Sequence, residues 1–307
     1  MTSAHVDTFA NDRLPPPDQQ PEYLFDLPEL QFPPQLNCAT ELLDRAIDKG
    51  WGDRVCIQAP GVRWTYADLL AHANRIANVL VTDMGLVPGN RVLLRAPNNP
   101  MLVASWFAVM KTGGIAVATM PLLRAKEIKQ MIVKGEVTHA LCDMRLADDL
   151  RAAAADPECA MLHHIRYFNT APGGAPEQSL EAAMVRHSTM FTNVDTAADD
   201  TCILAFTSGT TGVPKGTMHF HRDVMATCAC WPPHVLRPEA DDVFMGIPPL
   251  AFTFGRAAGK SVAEGFARRC QNLRCHCTVH RPHVVPRTGR RCRRAARQQP
   301  AQMCVGG

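Results

Sequence analysis

The chain has 307 residues, of which 46% are hydrophobic and 20% are charged, so it can bury a large core and is not a predominantly disordered protein. The net charge of +3 conceals a division. Residues 1–255 carry 20 Lys and Arg against 28 Asp and Glu, a net of −8, whereas residues 256–307 carry 12 against Glu264 alone, a net of +11.

The cysteines divide at the same place, with seven of the twelve before residue 256 and five after it. The first seven show no regular spacing, and several lie in apolar runs, which is typical of reduced core thiols in a cytosolic protein. They are Cys38, Cys56, Cys142, Cys159, Cys202, Cys228 and Cys230.

The amino terminus has no apolar segment behind a basic start, so we expect no secretory signal there. Its prolines predict an extended arm over residues 1–36, either lying on the surface or disordered. Residues 101–123 are apolar enough to suggest a membrane span, but Gly113 and Gly114 break them into pieces too short to cross a bilayer. We therefore interpret this stretch as core and expect a soluble, cytoplasmic protein.

Helical and strand patterns alternate after the arm. The predicted helices cover residues 38–49, a segment opened by a capping box of Thr65 and Asp68, a segment from Asn99 to Gly113, residues 124–135 and residues 143–155. The predicted strands are residues 54–58 and 62–65, which form a hairpin, and 91–95, 115–119, 139–142 and 165–168. A loop is expected over residues 169–180. This alternation predicts an α/β fold, with mostly parallel sheets and helices on both faces.

The most specific stretch is TSGTTGVPKG, residues 207–216, which follows the apolar strand-like run of residues 202–206. Glycines let the backbone N–H groups approach an anion, hydroxyls add donors, and Lys215 adds a positive charge. The glycines are Gly209, Gly212 and Gly216, and the hydroxyls belong to Ser208, Thr210 and Thr211. The combination predicts a polyphosphate-binding loop at the end of a buried strand.

A Walker A loop is excluded, because that motif needs Gly directly before its Lys and Ser or Thr directly after it. The neighbours of Lys215 are Pro214 and Gly216. Pro214 also holds Val213 in extended backbone, which disfavours a helix starting directly from the loop.

TSGTTGVPKG resembles the signature loop of the adenylate-forming, or AMP-binding, superfamily, whose loop holds the β- and γ-phosphates of ATP. WTYADLL and WFAVMKTGGIAVATMPL are similar to two structural segments of that family. The resemblance implies the N-terminal part of the ligase large domain, over residues 37–255. It also implies ATP-binding positions at Thr207, Ser208, Gly209, Thr210, Thr211, Gly212, Lys215 and Gly216, with Lys215 catalytic.

Beyond the loop, a helix is expected over residues 218–230 and a strand over residues 247–255. His219, His221 and His234 lack the spacing and the nearby carboxylates of a metal centre, so no metal site is predicted. The FTFG segment lies where related enzymes that activate aryl acids place their acid-binding pocket. This implies substrate contacts from Phe252, Thr253, Phe254 and Gly255, although the two phenylalanines equally fit one core face of a strand.

Three further segments, FDLPELQFPPQLNCATELLD, APNNPM and HFHRDVMA, look most like benzoate- or 2-aminobenzoate-CoA ligases. That likeness implies a two-step reaction. An aryl carboxylate attacks the α-phosphorus of Mg²⁺-bound ATP to give acyl-AMP and pyrophosphate, and the thiolate of CoA then displaces AMP.

The resemblance stops near Gly255, and residues 256–307 lack the family's later magnesium, ribose and lysine segments, which implies a shortened ligase with little or no activity. Three interpretations of this basic tail stay open. Its cysteines and histidines could bind zinc, although their spacing fits no common finger, and its arginines could bind nucleic acid or another anion. The favoured interpretation is out-of-frame translation, which resequencing of the locus would test.

Two other functions remain as alternatives to the aryl-acid ligase. One is a non-catalytic protein that binds nucleic acid or another anion through its tail. The other is a ligase for medium- or long-chain fatty acids, which differs only in the shape of the acid pocket. The Phe252–Phe254 pair favours a flat aryl acid over a fatty acid.

Overall fold

The computed structural model describes residues 2–170, 176–207, 214–239, 242–245, 249–251, 275–279 and 281–284. The chain divides into two compact units, Met1–Ala229 and Cys230–Gly307. Within the described residues, no helix combines the length and the apolar character that a bilayer-spanning segment needs.

Helices and strands alternate through the first unit as the sequence predicts. The strands are β1 (Val55–Ala59), β2 (Val62–Thr65), β3 (Arg91–Arg95), β4 (Ile115–Thr119), β5 (His139–Asp143), β6 (His164–Phe168), β7 (Thr201–Thr207) and β8 (Lys215–Phe220). The helices are α1 (Arg45–Asp48), α2 (Tyr66–Asn78), α3 (Pro100–Lys111), α4 (Ala125–Gly135), α5 (Ala147–Ala154), α6 (Leu180–Met184) and α7 (His221–Trp231). A π-helical turn, Thr40–Asp44, leads into α1.

Local sequence signals set several of these boundaries. Thr65 and Asp68 form the predicted capping box, in which each side chain accepts a hydrogen bond from the other residue's backbone N–H. Asn99 caps α3 by accepting from the backbone N–H of Leu102, and Pro100 occupies the first turn, where its missing N–H costs nothing.

The main sheet has six strands in the order β6-β5-β3-β4-β7-β8. Every neighbouring pair is parallel except β7 and β8, which are antiparallel. β1 and β2 form a separate antiparallel hairpin. The predicted α/β fold with a mostly parallel sheet is confirmed.

Helices cover both faces of this sheet. In β3, Val92 and Leu94 join a core cluster that includes Ile76 of α2, whereas Leu93 joins a second cluster that includes Ile128 of α4. Successive side chains of a strand point to opposite faces, so the middle of a central strand buried on both sides is apolar at every residue. The run VLL in the middle of β3 satisfies that requirement.

Besides shifted helix ends, such as that of α5, which begins at Ala147 and not near residue 143, the first unit differs from the sequence predictions at two elements. Residues 218–220 belong to β8 and not to the following helix, which begins at His221. Pairing with β7 keeps these residues extended, and this contact is not visible in the local pattern. The short helix α6 was not predicted. It is stabilised by the burial of Leu180 and Ala183 and by a cap from Ser179.

The amino-terminal segment packs against the first unit. The backbone N–H groups of Val6 and Asp7 both donate to the carbonyl oxygen of Pro88 at 3.0 Å. The Asp7 carboxylate forms an ion pair with the buried guanidinium of Arg91. Phe9 is almost fully buried, so this segment contributes to the core.

The described residues of the second unit include three short strands, β9 (Val243–Met245), β10 (Cys275–Val279) and β11 (Arg281–Val284), in the order β11-β10-β9. β10 is antiparallel to β11 and parallel to β9. No regular element was predicted for residues 256–307, whereas β10 and β11 lie within them. The strand predicted over residues 247–255 lies mostly outside the described residues.

Candidate functional site

The β7–β8 hairpin carries the predicted phosphate-binding loop. Thr207, the last residue of β7, pairs with Lys215, the first residue of β8, and Phe206 pairs with Gly216. Thr207 and Lys215 are both exposed. Because β7 is parallel to β4, the hairpin opens at the carboxyl edge of the parallel strands, where open α/β sheets bind ligands.

Two contacts hold the base of this loop. The Thr207 hydroxyl donates to the carbonyl oxygen of Lys215 at 3.5 Å, and Lys134 Nζ donates to the carbonyl oxygen of Pro214 at 2.9 Å. Lys134 lies in the last turn of α4, so a second ammonium group stands next to the loop. No sequence motif marks Lys134, since it lies 80 residues from its partner.

Gly216 has a packing role that its place in the motif does not reveal. A Cβ at this position would lie 2.9 Å from Leu204 Cδ1 and 3.5 Å from Phe206 Cε1. A Cβ at Gly135, at the end of α4, would lie 3.4 Å from Leu204 Cδ2. Both glycines therefore let backbone approach the same apolar side chains of β7, which brings α4 and β8 close to the base of the loop.

Polar side chains at the carboxyl ends of β3 and β5 form hydrogen bonds to other groups of the protein. The buried guanidinium of Arg95 donates to the carbonyl oxygens of Met120 and Leu123. The Asp143 carboxylate is fully buried, which acts to raise its pKa, but hydrogen bonds from Arg145 and Asn169 hold that pKa below the ordinary value. These groups order the loops at this edge of the sheet, and their hydrogen-bonding capacity is largely taken up within the protein.

Several predicted site residues lie outside the described part of the chain. They are Ser208, Gly209, Thr210, Thr211 and Gly212 of the loop, and Phe252, Thr253, Phe254 and Gly255 of the predicted acid pocket. The structure thus places Thr207, Lys215 and Gly216 together at the hairpin. Their roles in nucleotide binding stay predictions.

A second cluster, which the sequence did not predict, lies at the end of the same hairpin away from the loop. The backbone N–H of Cys38 donates to Nδ1 of His221 at 3.1 Å, and the Cys38 Sγ lies 3.1 Å from the same nitrogen. A hydrogen bond from the Cys202 thiol lowers the pKa of Cys38 to about 5, with His221 acting in the same direction against the effect of burial. Burial raises the pKa of Cys202.

Comparison with known proteins identifies the family. Residues 43–262 match the family model described as AMP-binding enzyme, and the chain belongs to this family. The benzoate–CoA ligase of Thauera aromatica is 27% identical over 76% of this chain and 43% of its own length. A long-chain-fatty-acid–CoA ligase of Bacillus subtilis strain 168 is 26% identical over 80% of this chain and 48% of its own length. The chain thus spans about half the length of these curated relatives.

Solved structures agree on the fold. The anthranilate CoA ligase AuaEII in complex with anthranoyl-AMP superposes with a TM-score of 0.73 and 22% identity, covering 81% of this chain and 50% of that one. ATP-bound MatB from Rhodopseudomonas palustris gives a TM-score of 0.59 and 29% identity, covering 71% and 41%.

Proposed function

We propose that this chain carries the ATP-binding part of an AMP-forming acid–thiol ligase. In this proposal a carboxylic acid and Mg²⁺-bound ATP give acyl-AMP and pyrophosphate, and CoA then accepts the acyl group. The observation that carries the proposal is the β7–β8 hairpin. In a chain of the AMP-binding family, it holds Thr207 beside Lys215 at the carboxyl edge of a parallel sheet.

For adenylyl transfer, the protein mainly has to position the reactants and stabilise the negative charge that develops. Transfer of the adenylyl group develops negative charge on the phosphate oxygens, and fixed donors with a nearby cation stabilise it. The exposed ammonium of Lys215 would interact with the polyphosphate, while Lys134 would keep the loop base in place through Pro214. Both lysines would thereby favour binding of the triphosphate.

For the acid, we propose an aryl carboxylate of the benzoate or 2-aminobenzoate type. Support comes from the likeness to the benzoate–CoA ligase. A fatty acid is the second candidate, because a long-chain-fatty-acid–CoA ligase matches a similar share of the chain at a similar identity.

Nucleotide binding is tested by thermal unfolding with and without Mg²⁺-bound ATP. At a ligand concentration 100 times the Kd, binding stabilises the folded form by about 2.7 kcal/mol, which corresponds to roughly 5–10 °C in the unfolding midpoint of a domain of this size. Lys215→Ala should remove most of this shift. The control is Lys126→Ala, which changes an exposed lysine on α4 and should leave the ATP-dependent shift intact. An equal ATP shift in Lys215→Ala and in the parent protein would refute the assigned role.

The acid is tested separately, by pyrophosphate release from the full chain with ATP, CoA and one acid at a time. Release that depends on benzoate or 2-aminobenzoate supports the aryl-acid proposal. Release that depends on a long-chain fatty acid instead replaces it with the second candidate. ATP binding without release on any acid limits this chain to the nucleotide-binding role.

A further inference from the structure

Three buried side chains from distant parts of the sequence meet at the end of the β7–β8 hairpin that lies away from the loop. Cys38 precedes the π-helical turn Thr40–Asp44, Cys202 lies in β7, and His221 is the first residue of α7. All three residues have no exposed surface. Their ligand atoms, two sulfurs and one imidazole nitrogen, all lie within 4.8 Å of one another.

The surroundings of this Cys38–Cys202–His221 cluster are rich in sulfur and in unsatisfied nitrogen. The Met110 thioether sulfur lies 3.4 Å from Cys38 Sγ. His221 Nε2 is buried and has no hydrogen-bond partner among the described residues, and the same holds for both ring nitrogens of His5, a residue that is 9% exposed. Buried polar atoms normally find a partner, so the unpaired ring nitrogens of His221 and His5 are exceptions to that rule.

We propose that Cys38, Cys202 and His221 form a binding site for a thiophilic d¹⁰ cation, with Zn²⁺ as its divalent occupant. Thiolate and imidazole ligands select such ions, whereas Mg²⁺ and Ca²⁺ require oxygen ligands, and this set contains no carboxylate. The inference is independent of the proposed ligase activity.

Charge balance favours a divalent ion here. Both sulfurs bind as thiolates, any thiol proton leaving to solvent, and two thiolates with a neutral imidazole neutralise one Zn²⁺. A neutral complex avoids the cost of burying a net charge, which a site without exposed surface could not otherwise tolerate. A monovalent ion with both thiols ionised would leave one negative charge buried.

The separation between Cys38 Sγ and His221 Nδ1 is close to the one that a shared zinc ion requires. Zinc bonds of about 2.3 Å to sulfur and 2.0–2.1 Å to nitrogen, at a tetrahedral angle, place the two ligand atoms about 3.5 Å apart. The separation between Cys38 Sγ and His221 Nδ1 is 3.1 Å. Binding would open this pair by about 0.4 Å. It would also use the Nδ1 lone pair that accepts the hydrogen bond from the Cys38 backbone N–H, so this N–H would need another acceptor.

The site would tie together the ends of β7 and β8 that lie away from the predicted nucleotide loop. Cys202 precedes the loop on β7, and His221 directly follows β8 on the other side of it. An ion bound by both residues and by Cys38 would connect these strand ends to the segment ahead of α1. The bound ion is therefore expected to raise the unfolding midpoint.

The test uses the full chain with the five tail cysteines replaced by serine, so that the tail offers no thiolate. These are Cys270, Cys275, Cys277, Cys292 and Cys304. After equilibration with Zn²⁺ and removal of loosely bound metal, this parent protein should hold roughly one zinc ion per chain. With Co²⁺ it should show thiolate-to-cobalt charge-transfer absorption and the visible bands of tetrahedral cobalt.

Cys38→Ser and Cys202→Ala should each lose the bound zinc and the charge-transfer band. The matched control is Cys159→Ala, which removes another fully buried, free cysteine from the opposite core cluster. It should retain both signals. Equal zinc binding in the control and in both cluster variants would overturn the proposal.

A measurement on the parent protein alone covers the case in which the variants fold poorly. Bound Zn²⁺ should slow alkylation of Cys38 and Cys202, read by peptide mass spectrometry, and leave the exposed Cys228 unchanged. Two results would contradict the site. One is a folded parent without any thiolate-to-cobalt band, and the other is a Cys38–Cys202 disulfide that forms in place of metal binding.

Discussion

The buried ion pair between Lys111 and Asp44 offers the sharpest stability test. Lys111 ends α3, its side chain has no exposed surface, and its Nζ donates to both carboxylate oxygens of Asp44 at 2.6 Å. Burial lowers the pKa of Lys111, and the bond to Asp44 opposes that shift. Asp44→Ala would leave an ammonium group buried without its partner.

The magnitude follows from the geometry. Breaking a buried ion pair by removing one partner costs about 3–5 kcal/mol. The Asp44 side chain is 28% exposed, so water can reach the pair from one side and the lower end of the range applies. A loss of about 3 kcal/mol lowers the unfolding midpoint of a domain of 150–250 residues by roughly 6–12 °C.

The companion variants separate charge burial from lost packing. Lys111→Met removes the buried charge and leaves Asp44 partly solvated, so it should cost about 1 kcal/mol or less. The double variant Asp44→Ala/Lys111→Met should recover most of the stability lost in Asp44→Ala. Glu41→Ala breaks the exposed Glu41–Arg45 pair and serves as the control, with an expected cost below about 0.5 kcal/mol.

Thermal and urea unfolding, followed by circular dichroism, measure these four variants against the parent protein. The reasoning fails if the losses of the two single variants simply add in the double variant, because independent effects would mean that no buried charge was left unpaired. It also fails if Asp44→Ala costs no more than the Glu41→Ala control.

Two further predictions concern acid stability and the amino-terminal segment. Burial lowers the pKa of His139 to about 4, so between that value and about 6.5 the unfolded chain binds the additional proton and stability falls as the pH drops. The parent should lose about 2 kcal/mol between pH 7 and pH 5 from this group, and urea midpoints should show a weaker pH dependence in His139→Gln. Gly89 has φ of +90°, and a Cβ there would lie 2.2 Å from the carbonyl oxygen of Asp7. Gly89→Ala should therefore speed proteolysis of the amino-terminal segment. The control is Gly61→Ala, at φ +73° with open space around it. It should lower the free energy of unfolding by about 1–2 kcal/mol and leave the segment protected. Equal proteolysis of the two glycine variants would count against the close approach to Asp7.

Local signals account for the parts of the fold that the sequence predicted. The Thr65–Asp68 box, the Asn99 cap and the apolar runs of β3 and β4 each reside within a few neighbouring residues. The polyphosphate loop was predicted for the same reason, since its glycines, hydroxyls and lysine are contiguous, and its role stays a prediction. Boundaries set by such signals agree with the structure to within one or two residues.

Long-range contacts account for the parts that were missed. Residues 218–220 have no local feature that opposes a helix, and only pairing with β7 makes them a strand. Lys134 meets Pro214 across 80 residues, and Cys38 meets His221 across 183. Sequence spacing therefore argued against a histidine metal centre, although folding brings His221 next to two cysteines.

The position of β7 also bears on how the chain is made. β4 ends at Thr119 and its partner β7 begins at Thr201, about 80 residues later, so at 5–20 residues per second a ribosome needs about 4–16 s to deliver the missing neighbour. During that interval the nascent chain carries an unpaired, apolar strand edge in the middle of its future sheet. Holdase chaperones would have their main opportunity to bind at this exposed edge. Slower elongation between codons 120 and 200 would lengthen the interval during which the edge stays unpaired.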